Sequence, residues 1–292
     1  MERFLFNVDG ARIVGNLHLP QMKMSKVPAV VVAGPMTSVK EQVTGVYAAA
    51  LAKRGYAALA IDHRHFGESE GEPRQYEYYH DKITDLSAAV DALVEDERID
   101  NERMGIVGVC LGAGYAAWAG VNNAHVKAFG AVVGYYRDVP SMKDADPEGF
   151  TAKVDQGVEA RRHYEKTGEV LMIPAAALEG DAAMTLQSTY DYYATPRAGV
   201  ANYRNEFAIM SREHFLQFDV QPAAKQIKVP VRMIHSENGL SPKWAKKFFE
   251  NLDAPKDLLW IDGPNQTAFY DSPQLVDRAS DLLGEFLDEK IG

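Results

Sequence analysis

Residues 104–121 read MGIVGVCLGAGYAAWAGV, and this stretch decides the fold class. Its first part, Met104–Val109, is a continuous apolar run of the kind found in strands that are buried on both faces. Its second part, Leu111–Val121, is rich in alanine and predicts a helix. Cys110 falls at the turn between them. Glycines flank this turn because a sharp, strained backbone leaves no room for neighbouring side chains.

The sequence Gly-Val-Cys-Leu-Gly matches the pattern Gly-x-Ser-x-Gly, with cysteine in place of serine, in the strand–turn–helix context that this pattern needs. The turn predicts that Cys110 is a nucleophile at the start of a helix. Exposed N–H groups at a helix start favour an anion and lower the pKa of a thiol, so we expect Cys110 to be partly ionised without a neighbouring base. The N–H of Leu111 is then expected to bind the oxyanion of an acyl substrate.

Short apolar runs alternate with helical patterns on both sides of this unit, which is typical of βαβ units and a mostly parallel sheet. Near the start, Asp9-Gly10 between two alternating runs predicts a hairpin. We predict eight strands, at Phe4–Val8, Arg12–Leu19, Pro28–Ala33, Ala57–Ile61, Met104–Val109, Phe129–Val133, Val229–His235 and Leu258–Ile261. We predict the main helices at Glu41–Arg54, Ile83–Val94, Leu111–Val121, Pro242–Leu252 and Pro273–Leu287.

The alternation stops between about Val139 and Ala224, where the chain is irregular and rich in aromatic residues. We predict a helical cap, residues 139–224, inserted into one α/β core that is formed by residues 1–138 and 225–292. The alternative is a set of ordinary packing helices. Aromatic side chains predict an apolar or aromatic acyl group under this cap, although aromatics in helices more often pack in the core. The residues expected to bind it are Tyr136, Tyr190, Tyr193, Phe207 and Phe269.

Composition limits the classes of function. The net charge of −10 argues against nucleic-acid binding, because nothing would neutralise the phosphates. No apolar run approaches the ~20 residues that span a membrane, and Met1-Glu2-Arg3-Phe4 does not begin a secretory signal. With a single cysteine, these features predict a cytoplasmic protein. We expect no metal and no cofactor, because no ligand cluster or phosphate loop is evident; a homodimer is left open.

With their neighbours, these residues resemble the α/β-hydrolase superfamily, in particular the branch related to dienelactone hydrolases. Three further segments carry the resemblance, which covers nearly the whole chain. Residues 34–42, GPMTSVKEQ, follow the third strand; residues 62–69, DHRHFGES, are similar to D-x-R-G-x-G-x-S; residues 263–271, GPNQTAFYD, are similar to G-x-x-H-x-x-x-Y-D. The resemblance implies an α/β-hydrolase fold and a second oxyanion N–H from Met36 or Thr37.

Two positions depart from the family's pattern. Gln266 stands where the catalytic histidine is usual, and Gly239 stands where the acid is usual. The departures are coherent, because without an imidazole no carboxylate is needed to orient it. Gln266 can donate and accept hydrogen bonds but cannot move a proton at neutral pH. Two residues could replace the missing groups: Glu237 as a displaced carboxylate, and His214 reaching down from the cap, where a solvated helix face is the alternative.

These features predict a hydrolase in which Cys110 attacks an activated acyl substrate, such as a thioester, a reactive ester or a lactone, with secondary metabolism as one setting. A good leaving group reduces the need for a general acid. Deacylation, however, has no evident base. The sequence therefore leaves open an acyltransferase, cyclase or lyase on the same fold, and also a non-catalytic protein that binds the ligand.

Overall fold

The computed structural model describes residues 1–21 and 26–292. The strands are β1 Glu2–Val8, β2 Ala11–His18, β3 Val27–Ala33, β4 Ala57–Asp62, β5 Ile99–Val109, β6 Val126–Val132, β7 Met172–Ile173, β8 Phe207–Ala208, β9 Val231–His235 and β10 Lys256–Trp260. The α-helices are α1 Val43–Ala52, α2 Tyr79–Val94, α3 Gly112–Asn122, α4 Val139–Ala145, α5 Pro147–Thr167, α6 Gln187–Tyr193, α7 Arg212–Phe215, α8 Pro242–Asn251, α9 Ala268–Asp271 and α10 Pro273–Ile291.

Eight of these strands form one sheet in the order β1-β2-β4-β3-β5-β6-β9-β10. The strands from β4 to β10 in that order run parallel, and β1 and β2 join antiparallel at one edge. The predicted eight-stranded, mostly parallel sheet is thereby confirmed. The predicted hairpin is also present: Asp9 and Gly10 both have positive φ, at 49° and 83°, as a type I′ turn requires.

The sheet is covered on both faces, and β3 and β4 are buried along their whole length. Continuous β-branched and small apolar sequences suit this position. The carboxyl ends of parallel strands lie at a single edge, where open α/β sheets bind their ligands. The loops that follow β3, β5, β6 and β9 therefore meet there, and they carry the predicted site.

The segment between β6 and β9 contains α4 to α7 and the two-stranded sheet formed by β7 and β8. Its longest helix, α5, begins where Asp146 accepts the N–H of Gly149 and ends at Gly168, whose φ is 74°. Whether residues 139–224 form a cap that is separate from the core stays a prediction. Within the described ranges, no helix has both the length and the apolar character that crossing a membrane requires.

Candidate active site

Cys110 lies at a sharp turn between β5 and α3, with a φ of 55°. Positive φ is uncommon for a residue with a Cβ and indicates a constrained position. The glycines on both sides are required by space. A Cβ on Gly108 would lie 2.4 Å from Ala113 Cα, and a Cβ on Gly112 would lie 2.2 Å from the carbonyl oxygen of Ala33. The position of Cys110 is therefore fixed by the backbone of the turn and does not depend on contacts of its side chain.

The thiol opens on a cavity of about 300 Å³, and 5% of Cys110 is exposed. Larger hollows of about 440 to 540 Å³ are lined by other described residues, none of which belongs to the predicted site. We therefore assign the site to the smaller cavity. Its lining consists of Pro35, Met36, Cys110, Leu111, Tyr135, Arg137, Met142, Lys153, Ala183, Met184, Thr185, Leu186, Thr189, Tyr193, Phe215, Leu216, Leu240 and Tyr270.

Burial raises the pKa of the Cys110 thiol above its ordinary value. Hydrogen bonds to the sulfur from the Tyr270 hydroxyl, the Leu111 N–H and the Gln266 side chain lower the pKa in part and do not offset the burial. The expected lowering of this pKa by the helix start is therefore wrong. The resting site holds a thiol rather than a thiolate at neutral pH.

Gln266 lies beside Cys110, where the resemblance puts the histidine, and its amide is fixed on both sides. The side-chain Nε2 donates to the Val133 carbonyl at 2.7 Å, and Oε1 accepts the Leu240 N–H at 2.9 Å. Val133 itself has a φ of 39°, which is rare for a β-branched residue. A Cβ on Gly239 would lie 3.2 Å from Gln266 Oε1, so the position of the missing acid has little room for a side chain.

The loop after β3 leaves one candidate, rather than two, for the expected second oxyanion donor. The Thr37 N–H already donates to the carboxylate of Glu77 at 2.8 Å, so Thr37 is not free to bind an oxyanion. Met36 lines the cavity, and its N–H has no hydrogen-bond partner among the described residues. Met36 and Leu111 both line the cavity with Cys110, and of the three expected oxyanion donors only Thr37 is already bonded to a carboxylate.

Glu77 was missed by the sequence analysis. It is fully buried in the loop before α2, and its carboxylate accepts hydrogen bonds from the Thr37 N–H at 2.8 Å and the Tyr115 hydroxyl at 2.6 Å. The ammonium of Lys82, also buried, lies 2.8 Å from the same carboxylate. Glu77 thereby holds the loop after β3 in place. No motif marks it, because its partners are distant in sequence.

Tyr193 is the one predicted substrate-binding aromatic that lines the cavity. The others are placed elsewhere, which corrects their assignment. Tyr136 stacks on Phe248 with ring centroids 4.4 Å apart, Phe207 and Phe269 are buried in the core, and Tyr190 is only partly buried on α6. Packing in the core, the alternative stated for aromatic residues in helices, prevails for most of them.

Neither candidate for a replacement base reaches the thiol. The side chain of Glu237 is mostly exposed and pairs with Lys246 at 2.8 Å. The ring of His214 lies 5.1 Å from that of Tyr78, in an aromatic group outside the cavity lining. Both assignments are therefore corrected: the first side chain points to solvent, and the second packs against the loop before α2.

One group of carboxylates has the spacing of a cation site. Glu41, Asp62 and Glu68 offer oxygens that all lie within 4.8 Å of one another. The ammonium of Lys40, which is buried, contacts the three carboxylates at 2.7, 2.7 and 2.6 Å. The cation of this group is therefore a side chain of the protein, and the network fastens the loops after β3 and β4.

The sequence profile of the X-Pro dipeptidyl-peptidase (S15) family matches residues 9–264. The uncharacterized protein YcjY of Escherichia coli strain K12 is 31% identical over 277 residues, which cover 90% of this chain and 89% of YcjY. Thiohydrolase aneE of Aspergillus aculeatus is 35% identical over 120 residues, 41% of this chain and 37% of aneE.

The crystal structure of the alpha/beta hydrolase GrgF from Penicillium sp. sh18 is similar, with a TM-score of 0.82 and 20% identity. The match covers 99% of this chain and 98% of GrgF. This likeness concerns the fold alone, and it confirms the α/β-hydrolase fold predicted from the sequence.

Proposed function

The chain belongs to the X-Pro dipeptidyl-peptidase (S15) family of α/β hydrolases, and from this membership and the geometry of the site we propose that it hydrolyses activated acyl substrates, thioesters foremost, with Cys110 as nucleophile. Within the α/β hydrolases we infer a place in the cysteine-dependent, dienelactone-hydrolase-like branch. One observation carries the proposal: the single thiol of the chain sits on the strained turn after β5 and opens on the cavity.

Acylation begins when the Cys110 sulfur attacks the carbonyl carbon of the thioester. The carbonyl oxygen becomes an oxyanion, which the N–H groups of Leu111 and Met36 stabilise. When the tetrahedral intermediate collapses, the bond between the carbonyl carbon and the substrate's sulfur breaks. The leaving sulfur takes the proton that Cys110 gives up. One thioester replaces another, so the step needs no strong general acid.

The choice of leaving group follows from the residues that the site lacks. An amide nitrogen must be protonated to leave, which in peptidases is the task of the histidine. Gln266 cannot supply that proton. We therefore expect no peptidase activity from this chain, although its family is named after a peptidase. The thiohydrolase aneE, which is similar over 120 residues, supports a thioester substrate.

Deacylation requires water to attack the acyl group on Cys110. The water oxygen bonds to the carbonyl carbon, the bond to sulfur breaks, and the sulfur takes up a proton released by the water. Hydrogen bonds from Tyr270 and Gln266 to the sulfur stabilise it as it leaves. Without an imidazole this step depends on hydroxide, so turnover is expected to rise with pH.

One observation favours a second candidate function. Neither an imidazole nor a carboxylate is among the described residues that line the cavity. A nucleophile carried by the substrate would therefore resolve the acyl-enzyme more easily than water. Acyl transfer or cyclisation through the same Cys110 intermediate is the alternative, and product analysis separates it from hydrolysis.

The test uses acyl thioesters of N-acetylcysteamine and p-nitrophenyl esters with the wild type, Cys110→Ala and, as a control, Lys246→Met on the exposed face of α8. Turnover and intact-protein mass are measured together. We expect conversion and an acyl adduct in the wild type and the control, and neither in Cys110→Ala. Full turnover by Cys110→Ala would refute nucleophilic catalysis. Binding of the thioesters without any conversion would refute the proposed enzymatic function and support a non-catalytic binding protein.

A further inference from the structure

Arg137 follows β6 and lines the same cavity as Cys110, although only 1% of it is exposed. Its Nη2 donates to the Leu216 carbonyl at 2.9 Å, and its guanidinium lies over the Phe215 ring, 4.4 Å from the centroid. The buried Nε has no hydrogen-bond partner among the described residues. No described carboxylate forms an ion pair or a hydrogen bond with this guanidinium.

An unpaired guanidinium in the interior is unusual, because a buried charge is costly unless it is paired. The other two buried arginines of the described chain follow this rule. Arg64 Nε donates to Asp85 at 2.7 Å, and Arg212 Nη1 donates to Asp181 at 2.8 Å. Arg137 alone lacks its anion, and it faces a cavity. The missing partner is therefore expected to arrive as a ligand.

The charge of the cavity agrees with an anionic ligand. Lys153, on α5, is the second charged residue of the lining, and the described lining contains no aspartate or glutamate. Two carboxylates, those of Asp219 and Glu77, are near enough to influence Arg137, but neither lines the cavity, and Glu77 is engaged by Lys82. In a chain with a net charge of −10, a cavity lined by two cations and no anion is selective for negative groups.

We propose that Arg137 is a carboxylate-binding subsite, so that the acyl group received by Cys110 ends in a second, free carboxylate. The planar guanidinium fork matches a carboxylate with two parallel hydrogen bonds. A cavity of about 300 Å³ is at the lower end of the range for small-molecule sites, which favours a short dicarboxylic acyl chain. The inference rests on the proposed function for its substrate, but binding can be measured without turnover.

The experiment compares glutaryl-N-acetylcysteamine with its terminal methyl ester, using isothermal titration calorimetry on Cys110→Ala. We expect the free acid to bind about 10- to 100-fold more tightly than the ester. Adding Arg137→Met should remove this preference, whereas adding Lys246→Met, on the exposed face of α8 and outside the cavity lining, should leave it unchanged. Equal affinity for acid and ester in Cys110→Ala would overturn the subsite, and this comparison leaves Arg137 unaltered.

Four further outcomes are informative: two refute the subsite, and two separate the subsite from the proposed function. If Arg137→Met weakens acid and ester equally, its role is to support the Phe215–Leu216 segment, and the subsite is refuted. Displacement of the glutaryl thioester by millimolar inorganic phosphate would assign the site to a phosphate group and also refute it. If Cys110→Ala binds the acid more tightly than the ester while the wild type converts neither thioester, the subsite is supported and the proposed hydrolase function is refuted. If the wild type converts the thioesters but Cys110→Ala binds acid and ester equally, the hydrolase proposal is supported and the subsite is refuted.

Discussion

Glu77→Gln tests the buried ion pair beneath the loop after β3. The substitution keeps the shape of the side chain and leaves a carbonyl oxygen that can accept the Thr37 N–H. It removes the negative charge that lies 2.8 Å from the ammonium of Lys82. Because both residues are buried, solvent screens this change only weakly, and the ammonium is left without its counter-charge.

Removing one partner of a buried ion pair costs about 3–5 kcal/mol. The ring of Phe66, whose centroid is 4.4 Å from Lys82 Nζ, offsets part of the loss through a cation–π interaction, so we expect the lower value of about 3 kcal/mol. For a chain of 292 residues the entropy of unfolding near 60 °C is about 0.6 kcal/mol/K. The melting temperature should therefore fall by about 5 °C.

Differential scanning calorimetry measures this shift at pH 7. The matched control is the double variant Glu77→Gln with Lys82→Met, which removes both charges and should recover at least half of the lost stability, because an apolar pair can replace a buried ion pair at little cost. A fall of less than about 2 °C in the single variant would contradict the reasoning. A double variant less stable than the single one would contradict it as well.

Other changes have equally definite outcomes. Gly112→Ala places a Cβ against the Ala33 carbonyl oxygen, and we expect no folded protein by circular dichroism after expression at 37 °C; a native spectrum would contradict this. Because burial raises the pKa of Cys110, iodoacetamide should alkylate it more slowly than free cysteine at pH 7 and progressively faster as the pH rises; mass spectrometry showing a plateau below pH 8 would refute the protonated thiol. Tyr270→Phe removes a hydrogen bond that lowers this pKa, so alkylation at pH 8 should slow several-fold, and an unchanged rate would exclude the contact. Gln266→His should destabilise by about 1–3 kcal/mol in urea unfolding, by leaving a backbone group unpaired, and should gain no esterase activity; a rise above about tenfold with p-nitrophenyl acetate would show that an imidazole can work there without a carboxylate.

The turn at Cys110 could be predicted because its cause is local. The apolar strand, the glycines and the alanine-rich helix are contiguous in sequence, and steric constraints at Gly108 and Gly112 allow few alternatives. The same holds for the Asp9-Gly10 hairpin. The start of β5 could not be predicted in this way. The strand begins at Ile99 rather than Met104, because Ile99 pairs with Val27 of the neighbouring strand despite the polar residues between.

Arg137 and Glu77 could not be predicted, because their meaning depends on partners far away in sequence. The sequence does not show that Arg137 is buried without an anion, or that Glu77 is buried with three partners. The aromatic residues failed for a related reason: composition cannot distinguish a ring in the cavity, such as Tyr193, from one in the core, such as Phe207. The pKa of Cys110 depends on the depth of burial, which the helix start alone does not fix.

The two hydrogen bonds of the Gln266 amide connect the loop after β6 with the loop after β9. An imidazole cannot donate on one side and accept on the other in the same geometry as an amide, so histidine at position 266 would break at least one of these two links. The amide is thus a crosslink between the two loops, and the positions of these loops are expected to depend on each other.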